Sequence, residues 1–307
     1  MLQFQAIRHM NYLDRDGNPD AVQPFEEIQM ETQAGTLVPI YEVEDHGRKN
    51  LAPVRLFKNG NPKSIPLQNA TVIKTSVGEI STELVTFYES GAICRLFPLN
   101  GKLSGYWSEK NEYKLTKELV IPTQLGVIKV RPIYLHFYET GELKSITFWP
   151  AERVEIKTPL GVITVKTGIS FHKSGALSSC EPHQPLLVDT PLGSIEAYDP
   201  DPNGMNGESN SLSFNEHGKI IGLSTTKTVV VVTDKDNAIT SFSPLVQRSR
   251  CSDTAFIVEP LKIKFIENEI VFRNGRRPKQ SIPATAHIEL KPFTTEKNIN
   301  CAGSCSI

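Results

Sequence analysis

The chain has 307 residues and is nearly neutral, with 33 lysine and arginine residues against 34 aspartate and glutamate residues. Such a balance provides no overall field that would attract nucleic acid or an anionic membrane surface, so we expect neither as a partner. Hydrophobic residues make up only 39% of the chain and are accompanied by 20 glycines and 21 prolines, which predicts a turn-rich β protein with short strands.

The sequence contains no segment that predicts a membrane helix or a secretion signal. Residues 1–10 lack the apolar run of a signal peptide, and no stretch approaches about 18 consecutive apolar residues. The chain has five cysteines, an odd number that cannot all pair within it, and most of them lie far apart in the sequence. This is typical of reduced thiols rather than of a disulfide framework. We therefore expect a cytoplasmic protein.

A short phrase built around a glycine recurs along the chain. In its clearest copy, residues 137–143, it reads Phe-Tyr-Glu-Thr-Gly-Glu-Leu. Apolar and polar residues alternate with period two before the turn, which predicts a strand with one buried face, and the glycine supplies turn dihedrals that other residues resist. Each copy of this first phrase therefore predicts a β-hairpin. Its glycines are Gly17, Gly60, Gly91, Gly141, Gly175 and Gly218.

Equivalent positions of the first phrase carry the same kind of residue in successive copies. If neighbouring hairpins stack in register, the aromatic residues four positions before the glycine form a buried row, and the charged residues two positions before it form an exposed column. The row consists of Phe87, Phe137, Phe171 and Phe214, and the column consists of Glu89, Glu139, Lys173 and Glu216.

A second phrase alternates with the first, and its clearest copies read Thr-Pro-Leu-Gly. Every copy has threonine three positions before the glycine and an aliphatic residue two positions after it. Proline fixes one dihedral of a tight turn and glycine accepts the difficult one, so this phrase also predicts a hairpin. The glycines of the second phrase are Gly35, Gly78, Gly126, Gly161 and Gly193.

Beyond about residue 225 the repeats become degenerate. Asp236 and Glu269 stand where a first-phrase glycine is expected, and around Glu269 the residues Ile263, Phe265 and Val271 keep the apolar spacing. No long stretch repeats with the period of about 3.6 residues that is typical of a helix, so we expect little helix.

These patterns predict that residues 1–290 form a single repetitive all-β domain, followed by a flexible tail at residues 291–307. The domain is predicted to be an elongated β-solenoid or a stack of repeated β-hairpins, with a β-propeller as the alternative. The first-phrase intervals Gly60 to Gly91 and Gly141 to Gly175 are only 31 and 34 residues. A propeller blade needs about 40 or more residues, so the open stack is favoured.

The Tyr-Glu-x-Gly hairpins, each followed by an aliphatic residue, resemble MORN-type repeats and their looser bacterial variants. The second phrase is not part of the MORN pattern. The resemblance implies an elongated stack of hairpins that serves for binding or scaffolding and not for catalysis. It covers roughly residues 85–225 and depends on the copies at Gly91, Gly141, Gly175 and Gly218 and on an extra turn, Asn-Gly-Lys-Leu at residues 100–103, which contains Gly101.

No motif predicts a catalytic residue, a cofactor or a metal centre. Residues 199–210 begin like a calcium loop, but Asn210 stands where calcium needs a bidentate carboxylate. Cys301 and Cys305 could form a redox pair or bind a soft metal, yet no second cysteine pair completes a zinc site, so we interpret them as incidental thiols. His136 occupies a repeat position and is interpreted as a surface residue, whereas Cys180 is interpreted as a core residue.

Three aromatic residues are the first candidate for a partner surface. Tyr106, Trp107 and Trp149 lie just after first-phrase turns, where they either cap the core or form an exposed patch. We expect a non-catalytic binding or scaffold protein that presents an extended β-sheet surface to a protein or another macromolecule. The alternative is an enzyme or a carbohydrate-binding module with a site near Trp107 and Trp149.

A dense basic run is the second candidate. Arg273, Arg276 and Arg277 could contact an acidic partner or phosphate groups, although a solvated turn is favoured because the chain is neutral overall. Self-association is also open, since an array of repeats without polar caps exposes its ends.

Overall fold

The computed structural model describes residues 8–42, 51–101, 108–200, 202, 207–208, 210–234, 236–248, 256–275 and 278–294. These residues form 27 β-strands and, within the described ranges, one helix of seven residues, α1 (Glu109–Leu115). The prediction of an all-β fold with little helix is confirmed.

The strands are numbered in chain order. The first twelve are β1 His9–Leu13, β2 Pro19–Pro24, β3 Met30–Thr32, β4 Gly35–Leu37, β5 Val54–Leu56, β6 Pro62–Thr75, β7 Gly78–Phe87, β8 Ile93–Phe97, β9 Leu119–Thr123, β10 Gly126–Val130, β11 Pro132–Phe137 and β12 Leu143–Phe148. The next eight are β13 Val154–Thr158, β14 Gly161–Phe171, β15 Leu177–Pro182, β16 Leu186–Thr190, β17 Gly193–Ala197, β18 Leu212–Phe214, β19 Ile220–Thr225 and β20 Thr228–Thr233. The last seven are β21 Ile239–Phe242, β22 Leu245–Arg248, β23 Phe256–Glu259, β24 Leu261–Ile266, β25 Glu269–Asn274, β26 Gln280–Pro283 and β27 His287–Pro292.

The chain divides into two compact units, Met1–Val154 with Ser170–Ala176 and Glu155–Ile169 with Leu177–Ile307. In the first unit, eight strands form an antiparallel sheet in the order β1-β2-β5-β6-β7-β8-β11-β12. In the second unit, seven strands pair in the order β14-β15-β18-β19-β24-β25-β26, and β13 also pairs with β14. Three second-phrase hairpins, β3–β4, β9–β10 and β16–β17, form separate two-stranded ribbons, whereas the strands of the other two, β6–β7 and β13–β14, also pair within the larger sheets. Within each unit, the strands of the glycine-containing first-phrase hairpins thus follow one another in one sheet, as in a stack of hairpins, whereas a propeller divides its strands into separate blades.

Every first-phrase hairpin that contains the glycine closes through the same three-residue loop. In the clearest copy the Tyr138 N–H donates to Glu142 O at 2.8 Å, and the Gly141 N–H donates to Tyr138 O at 2.9 Å. Gly141 has a φ of +97°, the left-handed conformation that ends a three-residue hairpin loop built on a type I turn. The same pair of hydrogen bonds closes the loops at Gly17, Gly60, Gly91, Gly175 and Gly218.

A β-bulge follows the turns at Gly17, Gly60, Gly91, Gly141 and Gly218. His136 pairs with Ser145, but the next residue, Phe137, pairs with Leu143, so Lys144 is an extra residue in the returning strand. An extra residue shifts the alternation of faces by one, so the residues two and five positions after the glycine both face the core. The equivalent extra residues are Asp20, Lys63, Cys94 and Ile221.

The predicted buried row and exposed column of the first phrase are confirmed. Phe137 is only 2% exposed, and the other phenylalanines of the row are equally buried. All four charged residues of the column are exposed. One face of each first-phrase hairpin therefore supplies the apolar core.

The threonine of the second phrase closes its two-residue turn. The Thr123 hydroxyl donates to Gly126 O at 2.7 Å and accepts from the Leu125 N–H at 3.2 Å. The same two bonds recur in every copy, with hydroxyl-to-carbonyl distances of 2.7–2.8 Å, which explains why the threonine is repeated. The other four threonines are Thr32, Thr75, Thr158 and Thr190.

Second-phrase turns also contact first-phrase turns in a regular order. In the first unit, each second-phrase turn hydrogen-bonds to a first-phrase turn further along the chain. Counted from the first-phrase copy that immediately precedes the second-phrase turn, the contacted turn belongs to the second copy after it. The three bonds run from Gln33 Nε2 to Ser90 O, from Ser76 Oγ to Gly141 O and from Gln124 Nε2 to Ser174 O. The second unit continues the order, because Pro159 packs against Gly218. The alternation of phrases in the sequence therefore has a structural cause.

The two degenerate copies differ from the prediction. The glycine position predicted at Asp236 is filled one residue later by Asn237, which has a φ of +61° and donates its N–H to Asp234 O at 3.2 Å. Asparagine tolerates the left-handed region better than most residues, so this turn keeps the first-phrase geometry.

The prediction of a first-phrase hairpin at Glu269 is wrong. Ile266 pairs directly with Glu269, so β24 and β25 join through a two-residue turn like that of the second phrase. This register buries Ile270 and Phe272, whereas Phe265 and Val271 are only half-buried. Of the three predicted apolar positions, Ile263 is buried.

Regular structure extends slightly beyond the predicted boundary at residue 291. Strand β27 pairs with β20 as far as Pro292, and the Phe293 N–H donates to Lys227 O at 2.8 Å. The rest of the predicted tail, residues 295–307 with Cys301 and Cys305, lies outside the described residues.

Phe137→Ala should lower the free energy of unfolding by about 3–5 kcal/mol, because it leaves a cavity in the buried row. Glu139→Ala, in the exposed column of the same turn, should cost well under about 1 kcal/mol. Urea unfolding measures both values. If Phe137→Ala were as stable as the parent while Glu139→Ala unfolded, the buried and exposed faces of the hairpin would be assigned in reverse.

Thr123→Val should lower the free energy of unfolding by about 1–2 kcal/mol, because it removes both hydrogen bonds of a second-phrase turn while keeping the shape of the side chain. Thr36→Val is the matched control, since the Thr36 hydroxyl donates to the exposed Glu31 carboxylate and not to the backbone of the turn. Its effect should stay within about 0.5 kcal/mol. Equal effects of the two substitutions would show that the repeated threonine has another role.

Candidate functional site

Trp149 is buried, with only 8% of its surface exposed. Its ring contacts that of Tyr113 on α1 edge to face, with ring centroids 6.1 Å apart. The Tyr113 hydroxyl donates to Glu152 Oε1 at 2.6 Å, a bond that raises the pKa of Tyr113. This position favours the interpretation of Trp149 as a cap on the core. Tyr106 and Trp107 lie outside the described residues.

The basic run is described only in part. Arg273 is exposed on β25, and its Nε donates to Gly275 O at 3.2 Å. Arg276 and Arg277 lie outside the described residues. Of the six residues predicted to form a partner surface, the structure therefore describes Trp149 and Arg273.

A different set of exposed side chains lies on the second-phrase hairpins. In β9–β10, Ile121 pairs with Ile128 and both are buried, whereas Val120 and Val127 point away from the core next to Pro122. Equivalent positions, six before or one after the glycine, carry exposed aliphatic residues in three further hairpins. We call this set the outer aliphatic positions, and its members are 58–69% exposed: Val72, Val120, Val127, Val162 and Leu187.

Sequence reasoning missed the outer aliphatic positions although a signal was present. The outward positions of an exposed strand normally carry polar residues, as Thr36 and Glu79 do one position after Gly35 and Gly78. Valine at the same place in other copies departs from that rule. The period-two pattern of the second phrase was used to find the buried residues and was not applied to the opposite face.

Two shallow depressions lie along the turns of the first unit, with volumes of about 490 and 420 Å³. They adjoin each other, because Ser76 and Glu142 line both. The hydrogen bond from Thr140 holds the pKa of the exposed Glu142 carboxyl below its ordinary value. The rims are formed by first-phrase and second-phrase turns, and the lining includes the ionisable side chains of Lys74, Glu139, Glu142 and Lys173.

A buried carboxyl group and a buried amine hold the segment after β17 in the second unit. Glu181 is fully buried and accepts hydrogen bonds from the backbone N–H groups of Ser211, at 2.7 Å, and Asp199, at 3.3 Å. Lys166 Nζ donates to the carbonyls of Asp199, at 3.0 Å, and Pro200, at 3.3 Å. The two side chains thereby fix the ends of residues 199–211.

The electrostatics of this network follow from its burial. Desolvation raises the pKa of Glu181 to about 7, and the charge of Asp199 acts in the same direction against the hydrogen bonds of Ser211. Lys166 also lies 4.6 Å from the centroid of the Tyr198 ring, which stabilises its positive charge. Both groups therefore hold backbone atoms of Asp199, Pro200 and Ser211.

The segment that resembles half of a calcium loop is described only in part. Asn210, at the position of the twelfth ligand, donates from Nδ2 to Ser179 Oγ and to Gly207 O, both at 2.8 Å. Asp201 and Asn203 lie outside the described residues. Among the residues that the structure describes, no group of three or more His, Cys, Asp or Glu side chains could hold a metal ion.

Within the described ranges, no helix has both the length and the apolar character needed to cross a bilayer. The sequence matches no protein-family model, no curated protein and no solved structure.

Glu181 makes the stability of the protein depend on pH. Its folded-state pKa of about 7 lies above its ordinary value of 4.5, so the folded chain binds this proton more tightly than the unfolded chain. The stabilisation that results from this tighter proton binding at Glu181 is complete below about pH 4.5 and is lost as the pH rises towards 7. We expect Glu181→Gln, which cannot ionise, to remove this part of the decrease between pH 5 and pH 8 in urea unfolding.

Glu139→Gln, an exposed substitution, is the control and should retain the decrease. The comparison concerns the change with pH, so a constant loss of stability in Glu181→Gln does not affect it. An identical decrease in Glu181→Gln and the parent would show that Glu181 is not the responsible group.

Proposed function

We propose that this protein is a non-catalytic binding or scaffold protein of the cytoplasm. In this proposal the outer aliphatic positions of its second-phrase hairpins bind a protein partner. The observation that carries the proposal is the recurrence of exposed aliphatic side chains at equivalent outward positions, seen in Val120, Val127 and Leu187 among others.

The outer aliphatic positions suit association better than solvation. A single exposed valine is ordinary on a protein surface, but aliphatic residues repeated at the outward positions of a strand have no role in the core beneath them. Burying a valine fully against a partner contributes about 1.5–3 kcal/mol. Lys129 lies opposite Val120 in the same ribbon, so the apolar centre has a charged neighbour, as in many interfaces.

The chemistry of the surface favours a protein over other partners. A neutral chain provides no general attraction for nucleic acid or anionic lipid. The resemblance of the first phrase to MORN-type repeats, which we propose as a relationship, supports a binding or scaffolding role. The alternative, an enzyme or carbohydrate-binding module near Trp107 and Trp149, has less support because the Trp149 ring is buried against Tyr113.

The double substitution Val120→Lys with Val127→Lys tests the proposed surface. Both side chains point away from the core, so the fold should persist while charge replaces the apolar patch. Thr36→Lys is the matched control, because Thr36 is exposed one position after Gly35, as Val127 is after Gly126. Tagged parent and variants are used to capture partners from an extract of the source organism, and the captured proteins are quantified by mass spectrometry.

We expect a partner that binds the parent and Thr36→Lys equally but binds the double variant at least tenfold more weakly in calorimetry with purified components. Sedimentation of the parent alone shows whether a second copy occupies the face instead. A partner that binds the double variant as tightly as the parent would contradict the proposal, and so would self-association abolished by the double variant with no other protein captured.

A further inference from the structure

Cys94 and His136 contact each other on the face of the first-unit sheet opposite the phenylalanine row. Cys94 is the extra residue of the bulge in β8, and His136 lies opposite its neighbour Arg95 on β11. The Cys94 Sγ lies 3.5 Å from His136 Nε2, within the range of a hydrogen bond to sulfur. The fold thereby joins two residues that are 42 positions apart in the sequence.

The contacts of Tyr88 require His136 Nε2 to carry a hydrogen. The Tyr88 hydroxyl donates its single hydrogen to Phe137 O at 2.8 Å, so its oxygen acts as an acceptor towards His136 Nε2 at 3.2 Å. Nε2 therefore carries a hydrogen and directs it towards the Tyr88 oxygen and the Cys94 sulfur. A donor in this position stabilises the thiolate form of Cys94 over the thiol form.

Positive charge next to the sulfur acts in the same direction. Arg95 Nη1 lies 3.9 Å from Cys94 Sγ. Burial raises the pKa of Cys94, but the hydrogen bond and charge of His136 together with the charge of Arg95 outweigh it, so the pKa lies below its ordinary value of 9.0. Cys180 shows the opposite result, because burial and the charge of Glu181 raise its pKa.

The hairpin repeat requires neither of the two residues. The position of Cys94 is filled by Lys63, Lys144 or Ile221 in other copies, and each of those residues forms the same bulge. The position of His136 is filled by small polar residues elsewhere, such as Thr86 and Ser213. The pairing of thiol and imidazole is thus added to the fold and is not a consequence of it.

We propose that Cys94 is a reactive thiol and a site at which a hydroperoxide, such as hydrogen peroxide, oxidises this protein. His136 and Arg95 hold the thiolate, and Cys94 keeps 9% of its surface exposed whereas Cys180 keeps none. Low thiolate pKa, a neighbouring cation and some exposure are the features that distinguish reactive cysteines from inert buried ones. This inference does not depend on the proposed binding surface.

The oxidation is a two-electron displacement. The Cys94 sulfur attacks one oxygen of the peroxide, so that a sulfur–oxygen bond forms and the oxygen–oxygen bond breaks. The sulfur loses two electrons, and the peroxide is reduced. With hydrogen peroxide, the departing hydroxide takes a proton from solvent and leaves as water, whereas an organic hydroperoxide leaves as its alcohol. The product on the protein is Cys94 sulfenic acid.

The test compares the two cysteines in the folded, full-length protein. Iodoacetamide labelling is followed over a series of pH values, and each cysteine peptide is quantified by mass spectrometry. We expect Cys94 to be labelled with a midpoint below pH 9.0 and Cys180 to remain unlabelled. After treatment with hydrogen peroxide and then dimedone, which traps sulfenic acid, the adduct should appear on the Cys94 peptide and not on the Cys180 peptide.

His136→Gln removes the imidazole and should raise the labelling midpoint of Cys94. A rise of one pH unit lowers the thiolate fraction at pH 7 about tenfold, and the labelling rate falls with it. Arg95→Met, at a half-buried position, should shift the labelling midpoint of Cys94 in the same direction. This variant replaces His136→Gln in the test if His136→Gln does not fold. Circular dichroism establishes which variants are folded.

Three results would overturn the proposal. These are labelling of Cys94 only when the chain unfolds, a midpoint at or above pH 9.0 in the parent, or an unchanged midpoint in every folded variant. Each would make Cys94 an ordinary buried thiol.

Discussion

The left-handed residue that closes each first-phrase loop is the constraint on which the rest of this structure depends. At Gly141 and its equivalents, a positive φ brings the returning strand into pairing with the strand that it follows. The bulge after the turn then sets which residues face the core. Glycine is repeated because most side chains resist this conformation, and the copy at Asn237 keeps the geometry with the residue that tolerates it best after glycine.

This geometry gives the two faces of a hairpin different roles. One face buries the phenylalanine row and the aliphatic residues that pair with it, so its composition hardly varies between copies. The opposite face is free of that requirement, and there the copies differ. The bulge position carries lysine in two copies and Cys94 in a third, and facing it is His136. The second phrase divides in the same way, with Ile121 and Ile128 inward and Val120 and Val127 outward.

Sequence reasoning predicted the hairpins, their turns and the buried row, because these depend on local patterns of glycine, threonine and alternating apolar residues. It placed His136 on the surface, and that was wrong, because residues on the second face of a sheet can be buried by segments that the alternation does not reveal. Cys180 was correctly interpreted as a core residue. The bulge was missed, since one extra residue just after a turn looks like ordinary loop sequence. Cys94 contacts His136 because β8 pairs with β11, and the order of strands in a sheet cannot be predicted from one copy of a repeat.

The most direct test of the central claim is the free energy of unfolding of Gly141→Asn and Gly141→Val. A Cβ added at Gly141 would meet no atom within 4 Å, so the backbone conformation alone should decide the result. We expect valine to cost at least about 1 kcal/mol more than asparagine, because a β-branched residue strongly resists a positive φ. Equal losses, or a smaller loss for valine, would contradict the claim that the left-handed turn determines this fold.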